Sequence, residues 1–157
     1  MKALNELSHD EYLLHCLSVA YFDLLSKESR EAISVSSICK KAGVSRSNYY
    51  RLFSNQNSLD SLVYFRLSFL YDAFLTKNPK LEGMEAFLGF LSKNKETMSF
   101  VFEKEEKNAL YFLSSRAMID PDLFFLPSLF FYFKEVLARP KIDIPGCLSE
   151  IKALVKR

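Results

Sequence analysis

Residues 34–53 read Ser34-VSSICKKAGVSRSNYYRL-Phe53, and the arrangement of this stretch decides the fold. Ser34 has the side chain that satisfies a free backbone N–H at a helix start, and Val35, Ile38, Cys39 and Ala42 then fall on one face of a short helix. Gly43, the only glycine in the first 80 residues, follows at once, where a helix end calls for a left-handed residue. Val44 offers an apolar plug, and Ser45 is placed to cap a third helix over residues 46–53. Tyr49 and Phe53 lie one turn apart on that helix and turn inward together. Arg46, Ser47, Asn48, Tyr50 and Arg51 are left on a polar, aromatic and cationic surface.

Outward from this stretch the chain continues to read as helix. Ser8 and Glu11 have the spacing of a capping box, and Tyr12, Leu13, Cys16, Leu17, Val19, Ala20, Leu24 and Leu25 form the stripe of a first helix. After Phe53, Asn55 offers a cap for a long helix from about residue 56 to 75, closed by Asn78-Pro79. Further helices are expected from Glu82 to Leu91, Ala109 to Met118, Asp120-Pro121 to about Leu137, and from Pro145 or Gly146 onward. Pro is absent from the first 78 residues and only four Gly occur in 157, so the turn chemistry of an all-β chain is missing. The expected class is all-α, with 49% hydrophobic and 25% charged residues giving enough apolar surface for a continuous core.

The formal charge of +2 is unevenly spread. Between Ser34 and Arg66 the cations are Lys40, Lys41, Arg46, Arg51 and Arg66 and the anion is Asp60, a local charge of +4, so the remainder carries −2. A basic module on a mildly acidic body draws an anionic polymer to one end. Cys16, Cys39 and Cys147 are far apart in apolar helical settings, which reads as reduced, buried thiols. The apolar run Leu123 to Phe133 is too short to span a bilayer and contains Pro127. The N-terminal stretch has no uninterrupted apolar segment of a secretory signal, so a cytoplasmic location without membrane association is expected.

A short helix, a glycine turn and a second short helix with a polar outer face form the helix-turn-helix pattern, whose second helix enters the DNA major groove. The stretch from Ile33 to Asp60 resembles the N-terminal DNA-binding domain of the TetR family of transcriptional regulators. The resemblance rests on Ser34, Val35, Ile38, Ala42, Gly43, Val44, Ser45, Tyr50, Phe53 and Leu59, with Ala20 and Leu25 upstream, and covers roughly residues 10–65. It implies an N-terminal three-helix DNA-binding domain, residues 1–55, followed by a short helical-bundle regulatory and dimerisation domain, residues 56–157. By position, Arg46, Ser47 and Asn48 stand where the family reads bases, and Tyr50 and Arg51 where it meets phosphate or groove. Ser36 and Ser37 open the supporting helix. Ser45, Lys41 and Gln56 complete the expected DNA-contact set. Arg46 suits guanine O6 and N7 and Asn48 adenine N6 and N7, while Lys40, Lys41 and Arg51 add sequence-blind phosphate attraction. Three positions depart from the family: Leu52 where histidine is frequent, Gln56 where lysine is frequent, and Ser29 where glycine commonly ends the first helix. The first two remove phosphate contacts.

The resemblance further implies a homodimer on a palindromic double-stranded DNA operator, acting as a repressor and released by a small apolar or aromatic effector. Tyr71, Phe90, Tyr111 and Arg116 are the candidate lining residues, with ordinary core packing as the competing reading of each. The segment Leu123 to Val136 is apolar nearly all round, which suits either a dimer face or burial within one subunit. Neither enzyme nor cofactor nor metal is expected. His9 and His15 are six residues apart, no cysteine is paired with a base, and no glycine-rich phosphate loop occurs. The alternative within the same fold is an architectural or protein-interaction role without effector control.

Overall fold

In the computed structural model, residues 7–54, 58–116 and 126–155 are described, and among them lie nine α-helices and one 3-10 turn. The chain is all-α. Residues up to Leu70 form one compact unit and residues from Tyr71 onward another.

The first unit begins with α1, His9–Leu25, whose start is fixed by the Ser8/Glu11 capping box. The Glu11 N–H donates to Ser8 Oγ at 3.2 Å and the Ser8 N–H to Glu11 Oε2 at 2.7 Å. Leu13, Leu17, Ala20, Tyr21 and Leu25 are buried. Tyr12 and Val19, two members of the expected stripe, are exposed instead, and Tyr21 replaces them in the core. After a 3-10 turn at Arg30–Ala32 comes α2, Val35–Ala42, which packs on α1 through Ile38 and Cys39. Its start is a second capping box: Ser34 and Ser37 each accept the other's backbone N–H at 3.1 Å.

Two hydrogen bonds and one backbone angle end α2. Gly43 adopts φ 66° and ψ 26°, its N–H donates to Lys40 O, and the Val44 N–H donates to Cys39 O at 3.1 Å. This is the Schellman arrangement, in which two otherwise unpaired helix carbonyls are satisfied and the next apolar residue, here buried Val44, packs back on the helix. Ser45 then accepts the Asn48 N–H at 3.1 Å and starts α3, Arg46–Leu52. The long α4, Ser58–Lys77, is described from Ser58 onward; the expected cap Asn55 and the expected start near Gln56 lie outside the described residues.

The first half of α4 belongs to this unit because specific pairs tie it there. Arg30 meets Asp60 at 2.5 Å, the Tyr49 hydroxyl donates to Ser58 Oγ at 2.6 Å, and the His15 ring lies 4.6 Å from that of Phe69. The division between the two units therefore falls inside α4.

The second unit takes the remainder of α4 with α5 (Gly83–Lys93), α6 (Lys95–Lys104), α7 (Glu106–Arg116), α8 (Leu126–Ala138) and α9 (Ile144–Val155). α6 and α7 pack on α8 and α5 packs on α9. Aromatic rings supply the core: Tyr71, Phe87, Phe90 and Phe112 meet at 5.0–6.3 Å, Phe87 reaches Phe133 at 5.3 Å, and Phe102 stacks on Phe130 at 5.1 Å. Gly89 admits the Phe74 ring so closely that a Cβ there would lie 3.0 Å from it. Lys95 Nζ donates to Arg139 O and, at 3.4 Å, to Pro140 O, placing a cation at the carbonyl end of α8.

The apolar character of α8 is largely used inside its own unit. Leu129, Phe130, Tyr132, Phe133, Val136 and Leu137 are buried, and the outward strip is Ser128, Phe131, Lys134, Glu135 and Ala138, with Phe131 64% exposed. The helix joins α9 through polar groups as well. Tyr132 donates to Glu150 Oε2 at 2.9 Å, and Arg139 bridges Glu150 at 2.9 Å and Glu135 at 3.3 Å. The expected opening of this helix at Asp120-Pro121 lies outside the described residues. No described helix is long and apolar enough to cross a membrane.

Candidate nucleic-acid interface

The surface of α3 is set by an anchor beneath it. Tyr49, 1% exposed, is held from below by its hydrogen bond to Ser58 and flanked by Phe53 at 4.9 Å. Burial pushes its phenol above the ordinary tyrosine range, so the neutral O–H remains the donor. The Tyr50 ring packs edge-on against Tyr49 at 5.7 Å while remaining 51% exposed. One turn back, the Arg46 guanidinium lies 5.9 Å over the Tyr50 ring, and a hydrogen bond with Tyr50 raises its affinity for the proton further. A buried tyrosine thus orients an exposed one, which orients an arginine.

Arg46, Ser47, Tyr50 and Arg51 are all exposed on α3, and Asn48 is half-buried beside them. Ser36 and Lys41 are exposed on α2. The remaining two described candidates have employed their hydroxyls locally. Ser37 completes the capping box with Ser34 and donates to Ser34 O at 2.7 Å, and Ser45 accepts the Asn48 N–H. Gln56 lies outside the described residues.

The cations of the segment have unequal company. Arg51 is held by Asp10 of α1 in a two-pronged pair, 2.6 Å and 3.1 Å, which keeps the Asp10 carboxyl below the usual carboxylate range. Lys41 is held by Asp23, also of α1, which binds Lys27 at 3.2 Å as well; hydrogen bonds from Lys41 first and Lys27 second lower the Asp23 carboxyl likewise. Arg46 has no carboxylate partner among the described residues. Reading the sequence alone missed Asp10 and Asp23. Asp10 lies 41 residues from Arg51 and carries no local motif beyond its place in the first turn of α1. Cys39, beneath this surface, is buried, and burial pushes its thiol up, as expected of an inert core thiol; Cys147 is buried too, but Cys16 is only half-buried.

The candidate effector residues separate into two environments. Tyr71 and Phe90 pack together at 5.0 Å in the aromatic core, and Arg116 lies close enough to Tyr71 to act on it electrostatically while pairing with Asp72 at 3.4 Å. Burial is the larger influence on Tyr71 and raises its phenol. Tyr111, by contrast, is 59% exposed.

No family model, curated protein or solved structure matches the chain.

Proposed function

We propose that the chain is a sequence-specific DNA-binding transcriptional regulator of the TetR kind. In this reading α2 supports and α3 enters the major groove of double-stranded DNA, with Arg46, Ser47 and Asn48 toward base edges and Tyr50, Arg51 and Lys41 toward phosphates. One observation carries it: α3 follows a tight Schellman turn and presents Arg46, Ser47 and Tyr50 to solvent, with Arg46 posed on an aromatic ring and unneutralised by any described carboxylate. A surface made only for solubility needs no such orientation of one arginine.

The finer parts of the proposal are repression in the cytoplasm, a homodimer on a palindromic operator, and release by a small apolar or aromatic effector. Two-fold readout supports the homodimer, since paired recognition helices must sit about one DNA turn, roughly 34–36 Å, apart or a multiple of it. Tyr71 and Phe90 are the favoured effector contacts, because they adjoin each other and Arg116 supplies a polar group nearby.

The test is selection of duplexes from a random library by the full chain, followed by binding to the enriched site with wild type and Arg46→Ala. Arg46→Ala should relax preference at one base position by about 1–3 kcal/mol. Enrichment of no sequence would refute the reading. Adding a panel of apolar and aromatic metabolites to the complex then tests release; binding that no compound alters would remove the effector.

A further inference from the structure

Resting on that reading, we infer that Asp10 is a positioning residue that withholds Arg51 from the DNA backbone and thereby holds down affinity for duplex of any sequence. Its carboxylate occupies both prongs of the guanidinium, with Oδ1 2.6 Å from Nη2 and Oδ2 3.1 Å from Nη1. That two-pronged geometry is the one a phosphate would use. A phosphate reaching Arg51 must therefore displace Asp10 or bind alongside it, and in either case works against a fixed negative charge.

The arrangement is not confined to one pair. Asp23, on the same helix, is the counter-ion of Lys41. α1 thus neutralises two cations assigned to phosphate, whereas Arg46, assigned to bases, keeps an aromatic partner and no described carboxylate. Neutralising phosphate-directed cations weakens every complex, specific or not, because phosphate contacts are blind to sequence. Leaving the base-directed cation uncommitted preserves discrimination. The result is a protein whose hold on arbitrary DNA is low for its local charge of +4, so that less of it is trapped away from its operator.

Coulomb repulsion between the two anions sets the size of the effect. A carboxylate and a phosphate on the same guanidinium lie roughly 6 Å apart, and their repulsion in a watery surface setting weakens binding about three- to tenfold. Freeing one cation to neutralise one more phosphate also steepens the fall of log K with log salt by about 0.9.

The experiment measures binding of the full-length chain to a random-sequence duplex from 50 to 300 mM salt, for wild type, Asp10→Asn, Arg51→Ala and Asp10→Asn/Arg51→Ala, with Asp23→Asn as a parallel arm, roughly the range over which phosphate contacts are titrated. Asp10→Asn should bind about three- to tenfold tighter at the lowest salt and show the steeper slope, and Arg51→Ala should abolish both changes. A structural role for Asp10 would move the melting temperature and leave the slope alone. Equal affinity and slope in wild type and Asp10→Asn would overturn the inference, as would an Asp10→Asn effect that persists without Arg51. Failure of all variants to bind any duplex would refute the regulator reading itself, a different result from binding that Asp10 does not influence.

Discussion

Replacing Gly43 by alanine isolates the backbone contribution of the turn between α2 and α3. At φ 66° a β-carbon is disfavoured, at a cost of about 1–2 kcal/mol for an L-residue held left-handed. Alanine also narrows the unfolded ensemble, which returns roughly 0.4–1 kcal/mol. No other term enters, because a Cβ built at Gly43 meets nothing within 4 Å. The net loss is therefore about 1 kcal/mol, equivalent to a melting-temperature drop of roughly 2–4 °C for a chain of this size. Asparagine tolerates the left-handed region far better, so Gly43→Asn should lose less than Gly43→Ala. Urea unfolding of the three proteins, followed by circular dichroism, measures the series. Equal stability of Gly43→Ala and wild type would refute the assignment of a left-handed helix end, and a loss above about 3 kcal/mol would show steric contacts that the geometry denies.

Tyr49→Phe removes the hydroxyl that ties α3 to the start of α4 and should cost about 0.5–1.5 kcal/mol, with a Tyr49→Phe/Ser58→Ala double-mutant cycle assigning most of that to the pair; zero coupling would disprove the tie. The acid limb of stability should report His15. Its ring packs at a tilt against Phe69, its Nδ1 is buried without a partner among the described residues, and burial first, then the Arg66 cation, lowers its pKa below the ordinary 6.5. The folded state refuses a proton that the unfolded state accepts, so this contribution is complete above about pH 6.5 and is lost as pH falls from there toward the folded pKa. Melting temperature against pH should fall more steeply below pH 6.5 for wild type than for His15→Phe, which keeps a ring against Phe69; parallel curves would exclude His15 as the cause.

The helix starts at Ser8, Ser34 and Ser45 and the end at Gly43 were legible because each depends on residues within five positions of one another. Capping and the left-handed turn are local chemistry, and a sequence displays local chemistry directly. Ser37 is an instructive exception: in sequence it reads as a surface contact, yet it is the return half of the Ser34 capping box, with serine standing where glutamate or glutamine is usual. The inside and outside of α1 and α8 were less legible. Both helices are apolar over more than one face, and only their neighbours decide which apolar residues are covered. That is why Tyr21 lies inside while Tyr12 and Val19 lie outside, and why the large apolar side chains of α8 from Leu129 to Leu137, Phe131 apart, find cover within their own unit.

The candidate site was legible as a set of residue types and illegible as a charge distribution. A local sum of +4 suggests a uniformly attractive surface, but Coulomb energy depends on distance in space, and the two carboxylates that alter the sum sit on α1, outside the basic segment. Arg51 and Arg46 are five residues apart on one short helix and count equally in the local charge. In the fold one faces a carboxylate and the other an aromatic ring. The functional weight of a cation on such a surface is therefore decided by which partner must be given up when a phosphate or a guanine arrives. On the proposed reading, Arg51 would surrender a two-pronged ion pair, whereas Arg46 would surrender only its contact with Tyr50. Measured against each other on specific and random DNA, the two arginines should differ in kind: Arg46 in discrimination, Arg51 in salt dependence once Asp10 is removed.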